Sequence, residues 1–182
     1  MNRLVPQVLF TGVLVAASAG IAQAQTTVTL PDTSQTTTFT ANVSEQARVT
    51  VPATVTFAIT DVSVSKAASA ASVTIDNIVL ATATKQLKLS IQASAANFTP
   101  PVGGATTWAA GDITWNAATW TNATGSSGTL SSSAYTAVTT CTANVSTCST
   151  TGLVFTLGAK STVKISGNHT LTATWKVESI GS

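Results

Sequence analysis

The chain has 182 residues, a formal net charge of +2, and charged side chains at only 8% of positions. So weak a field offers no electrostatic footprint for nucleic acid or acidic lipid. Hydrophobic residues make up 44% of a chain otherwise dominated by Thr and Ser, which excludes disorder driven by charge and low hydropathy.

Residues 1–24, MNRLVPQVLFTGVLVAASAGIAQA, have the layout of a secretory signal peptide. Arg3 marks a short n-region, an apolar stretch runs through Val15, and small residues lead to Ala22-Gln23-Ala24, an A-x-A cleavage site. Pro6, Gln7 and Gly12 interrupt the apolar run, which argues against a membrane anchor, and no later run approaches spanning length. The expectation is an exported mature chain starting at Gln25, secreted to the extracellular space or cell surface through the periplasm. No membrane insertion is expected after signal removal. The remaining 158 residues (182 minus 24) suffice for one domain with a core.

From Gln25 onward the pattern has a period of two, the signature of half-buried strands. Residues 25–44 read as an N-terminal extension, and residues 45–182 as a single β domain. In the extension, Val28 and Leu30 form a short run ended by Pro31, and Phe39, Ala41 and Val43 share one face of TTTFTANV, residues 36–43. Val49 and Val51 precede Pro52; Val55, Phe57 and Ile59 share a face in ATVTFAIT; Val62 and Val64 continue after a bend. Val73 and Ile75 start another strand, and Leu87, Leu89, Ile91 and Ala93 alternate with Lys88, Ser90 and Gln92. The segment 97–135 is the least regular and reads as a long excursion between strands, although Ile113 and Trp115 alternate within it. Leu153, Phe155 and Leu157 follow, then Val163 and Ile165. The closing stretch HTLTATWKVES puts Leu171, Ala173, Trp175 and Val177 on one face and Thr170, Thr172, Thr174, Lys176 and Glu178 on the other. Pro100-Pro101, Gly103-Gly104, Gly125, Gly128, Gly152, Gly158 and Gly167-Asn168 punctuate these runs. About seven to nine short strands with no crossover helix predict an all-β, antiparallel sandwich, immunoglobulin-like or jelly-roll-like.

Residues with chemical potential are few. Cys141 and Cys148 enclose TANVST in a chain expected to be exported, and a disulfide between them is expected. Such a short closure is worth about 2–3 kcal/mol in the chain-entropy model. His169 is the single histidine, and Asp32, Glu45, Asp61, Asp76, Asp112 and Glu178 are scattered one at a time. No spacing matches a triad, paired acid/base carboxylates or a metal loop. A non-enzymatic protein without cofactor or metal is therefore expected. Trp108, Trp115 and Trp120 crowd one stretch. Trp115 follows Ile113 at strand spacing and is expected in the core, whereas Trp108 and Trp120, flanked by small and polar residues, are candidates for an exposed glycan platform. Sequons at Asn42, Asn97, Asn122, Asn144 and Asn168 decide nothing in so Thr- and Ser-rich a chain.

The closing SGNHTLTATWKVE, a turn followed by a strictly alternating strand, resembles the end of subunits of bacterial chaperone–usher-type fimbriae. TTTFTANVSEQARVTVP is similar to the donor extension of those subunits. The resemblance implies an incomplete immunoglobulin-like sandwich completed by a neighbour's strand. Cys141 and Cys148 sit late and close together, whereas many such subunits carry an early inter-strand disulfide. TLTATWKV also resembles the terminal strand of WxL-type cell-wall-binding surface proteins, with Val177 where that motif has Leu.

The functional expectation is a secreted structural subunit of an extracellular fibre or surface layer, homo-oligomeric and assembled by β-strand addition. The alternative is a monomeric surface-binding module recognising cell wall or cell-surface glycan through Trp108 and Trp120. Segment 36–43 is expected to pair with the domain, Phe39, Ala41 and Val43 entering a core either in their own chain or in the next subunit.

Overall fold

The computed structural model describes residues 27–31 and 33–181. The signal peptide expected over 1–24, its cleavage site, and Asp32 lie outside the described residues. Asn42–Ser182 form one compact unit; residues 27–31 and 33–41 are described separately and contain no strand.

All regular pairing is antiparallel. The strands are β1 (Gln46–Thr50), β2 (Lys66–Ala67), β3 (Ala71–Val79), β4 (Gln86–Ala93), β5 (Ile113–Trp115), β6 (Ala123–Gly125), β7 (Gly128–Thr129), β8 (Thr136–Cys141), β9 (Cys148–Leu153), β10 (Phe155–Leu157) and β11 (Ala173–Ile180). They form three sheets, ordered β1-β3-β9, β2-β10-β5-β7 and β11-β4-β8-β6. Only Val154 separates β9 from β10, so the first two sheets run into one another. Together they pack against the third as a β-sandwich.

The alternation seen in the sequence builds the core. Val73 and Ile75 of β3 and Leu87, Leu89 and Ile91 of β4 turn inward, and all five are buried. They meet Val138, Leu153, Phe155 and Leu157. Fully burying side chains of this size contributes about 1.5–3 kcal/mol each. Trp115, Phe155 and Trp175 form an edge-to-face chain of rings, with centroid separations of 6.1 and 6.5 Å, that ties β5 and β10 to β11. The Cys141–Cys148 disulfide joins β8 to β9, with Cα atoms 5.9 Å apart, as expected for an oxidised pair.

Two sequence expectations need correction. Residues 97–135 are not an excursion: they hold β5, β6 and β7, and they deliver Phe98, Trp108, Trp115, Trp120 and Leu130 to the core. Their irregular pattern arises because each strand is only two or three residues long, too short to show a period. The expected strands at 36–43, 53–60 and 163–165 are not strands in the single chain. Pro52 explains the second, because it lies two residues past the end of β1 and has no N–H to continue a ladder.

Candidate functional site

Where those strands fail to form, the sandwich stays open. Residues 52–62 leave β1 without joining either sheet, and among the described residues 53–60 make no backbone hydrogen bond. Asp61 then fixes a turn by accepting from the N–H and hydroxyl of Ser63 at 2.8 and 2.7 Å. These bonds, the hydroxyl first, hold the Asp61 carboxyl below its ordinary value. Opposite lies the run 163–172, attached on one side only. Thr172 accepts from the Ser94 N–H at 2.9 Å, and Thr99 and Thr170 exchange backbone bonds at 2.7 and 3.0 Å.

Between the two runs lies a groove of about 880 Å³. Its floor includes Ile91, Trp108, Ile113, Phe155 and Leu157, each buried, and Trp175 lies at its end. Its margins carry Val55 and Ile165, 37% and 43% exposed. Among the described lining residues, Lys164 is the only lysine, arginine or carboxylate. The site is thus long, apolar and nearly uncharged, with unpaired backbone along one wall. In β-strand addition generally, an extended peptide pairs its main chain with an open sheet edge while alternate side chains enter pockets.

The expected C-terminal core strand forms as β11, registered residue for residue along β4 from Ala173↔Ala93 to Ile180↔Gln86. Leu171, Ala173 and Trp175 are half-buried against the core, while Val177 is still 36% exposed. Glu178 bridges Lys176 and Lys88 at 2.5 and 2.6 Å, and these two ammonium groups, Lys176 first, hold its carboxyl below the usual range. Phe39, Ala41 and Val43 occupy no strand; Phe39 is 92% exposed, Val43 is 71% exposed, and Ala41 is exposed as well.

The glycan platform is overturned. Trp108 and Trp120 are buried, 4% and 9% exposed, so neither ring can stack on a sugar. Trp108 donates from Nε1 to the Gly158 carbonyl at 2.9 Å, as Trp115 does to that of Ser126. Trp120 Nε1 is buried with no hydrogen-bond partner among the described residues. Gly125 and Gly128, which read as turn punctuation, also have a packing role: a Cβ at Gly125 would strike the Trp120 ring, and one at Gly128 the Trp115 ring.

His169 lines the groove with both ring nitrogens engaged. Nε2 lies 3.1 Å from the Ile165 carbonyl, which only accepts, so Nε2 carries the proton. Thr107 Oγ1 lies 2.7 Å from Nδ1, and the ring packs edge-on to Trp108. The scattered acids find partners that the sequence could not show. Asp76 pairs with Arg48 across β1 and β3 at 2.7 Å, and this bond lowers its pKa. Glu45 accepts from the Ala81 N–H and from Lys85, which hold it below its ordinary value in that order. Burial pushes the Asp112 carboxyl up, but Lys160 and the Ala109 N–H outweigh it and leave the pKa lowered. Each is a structural tie, and none brings two carboxylates onto a common substrate position.

No helix among the described residues is long and apolar enough to cross a membrane. Neither a protein-family model nor a curated protein nor a solved structure matches this chain.

Proposed function

We propose that this protein is an exported structural subunit of an extracellular fibre or surface layer, joined to its neighbours by β-strand addition. Segment 36–43 of one copy enters the groove of the next, with Phe39, Ala41 and Val43 directed to the floor. The observation that carries this reading is the coincidence of two unmet needs in one chain. Among the described residues an apolar-alternating segment has no strand partner, and a nearly uncharged apolar groove has a wall with unpaired backbone. Neither carries the charge that would repel a neutral peptide, since residues 33–43 contain no ionisable side chain.

Chain length favours crossing over folding back. A hairpin turning at Ser44-Glu45 would set Val43 beside Gln46 and reach only Ala53 with Thr36, because paired strands advance equally along the sheet. Most of the 53–60 wall would stay uncovered. A second copy has no such tether.

Deleting residues 25–44 tests the reading. The truncated chain should stay monomeric, bind an apolar dye, and gain melting temperature when a peptide of residues 33–44 is added. A truncated chain as stable as the full one and still assembling would sink it.

A further inference from the structure

We infer that the free edge of β11 is a second self-recognition surface, on which two copies pair antiparallel about a two-fold axis at Val177. In its sheet β11 has a single neighbour, β4, and all eight of its residues are registered to it. The opposite edge is therefore unpaired among the described residues. It carries neither Pro nor Gly to blunt it. Soluble proteins protect long flat edges with charge, but the one lysine on this strand is paired at 2.5 Å with Glu178, two residues along, which also bridges Lys88 on β4.

Charge and exposure fix both the occupant and the register. Matching of faces allows only registers that set odd residues opposite odd and even opposite even. Centring the axis on Lys176 opposes Lys176 to itself, and centring it on Glu178 opposes two carboxylates. Centring it on Val177 sets Lys176 against Glu178 of the second copy, twice, with Trp175 facing Ser179 and Thr174 facing Ile180. Val177 shares the core-facing side with its ladder partner Leu89, which is fully buried, yet Val177 is 36% exposed. Pairing about the axis brings the two Val177 side chains together and covers that exposure. The contact is isologous, so it closes at two copies. It uses the backbone of 174–180 and leaves both groove walls, 52–62 and 163–172, available, so it stands whether or not segment 36–43 enters the groove.

A thiol placed at the axis tests this in the full exported chain. Opposed residues on antiparallel strands lie about 4.5–5.5 Å apart, within disulfide reach. Val177→Cys should give a covalent dimer under mild oxidation, whereas Thr174→Cys, which faces Ile180 of the second copy, should not link to itself. Adding Lys176→Glu or Glu178→Lys to Val177→Cys should cut the yield about tenfold, and the double charge swap should restore it. Should a reversal disturb folding, Val177→Cys alone still reports, because its yield must fall as ionic strength rises. Equal linking at positions 174 and 177, yields indifferent to single reversals in folded protein, or a salt-independent yield would each overturn the proposal.

Discussion

Residues 36–43 and 170–177 carry almost the same pattern, an apolar residue at every second place among threonines, yet the chain treats them in opposite ways. From Ala173 onward TLTATWKV becomes β11, which continues to Ile180 along the whole of β4, with Trp175 reaching Phe155. TTTFTANV forms no strand among the described residues, and Phe39 is 92% exposed. Alternation therefore gives a segment only the ability to pair. The partner decides whether it does, and β4 is the partner that segment 36–43 lacks.

Breaking each segment at its aromatic residue probes the contrast most strongly. Trp175→Ala removes a ring from the Phe155 contact and opens the end of the groove, and should cost about 2–3 kcal/mol of folding stability in denaturant titration. Phe39→Ala should change folding stability of the isolated chain by no more than about 0.5 kcal/mol. Under the strand-addition proposal, it should nonetheless abolish assembly seen by electron microscopy. A Phe39→Ala chain that unfolds early, or a Trp175→Ala chain of unchanged stability, would erase the distinction.

Replacing Cys141 and Cys148 together by Ser sharpens it from a third position. The double variant should lose about 2–3 kcal/mol in chemical denaturation while retaining its β-sheet circular dichroism. Strand addition should survive in it, because the bridge joins β8 to β9 and neither strand lines the groove. Two tryptophans that the sequence placed side by side should then separate. Trp115→Phe deletes the bond to the Ser126 carbonyl, costing about 1 kcal/mol. Trp120→Phe removes an N–H that already lacks a partner, so its cost should be smaller, as compared by thermal unfolding.

The gentlest test uses pH. The Glu178 carboxyl has a folded pKa below its ordinary 4.5, so its contribution is complete above about pH 4.5 and is lost as pH falls through the lowered value. Thermal stability should hold from neutrality to about pH 5 and drop on further acidification, less steeply in Glu178→Gln. Segment 33–43 has no group to titrate. Acid should therefore weaken the C-terminal strand while leaving the affinity of a 33–44 peptide for intact domain unchanged until the domain itself loosens.

Several features were legible early because they depend on local period or local context. β4 was plain in LKLSIQA and β11 in TLTATWKV, since long half-buried strands write their two faces into the sequence. The cysteine pair was legible from six intervening residues and expected export. The short strands between 97 and 135 were not, because three residues such as Ile113–Trp115 cannot display a period. Trp108 and Trp120 misled for a related reason. Small neighbours look like exposure in one dimension, but burial in three dimensions comes from the core packed around the rings. The clue present was Gly125 and Gly128, whose missing side chains accommodate two of the rings.

The sequence by itself determined the class: weak charge, abundant Thr, period-two runs and no helical pattern leave only an antiparallel β protein. Tertiary structure alone decided which alternating runs became strands, because pairing depends on a neighbour distant in the chain. It also decided where the sandwich stays open, since a groove exists only once Pro52 has ended β1 and the two sheets have met around Phe155. And it decided which face of each tryptophan meets water, because burial belongs to the packed layers and not to the residues on either side.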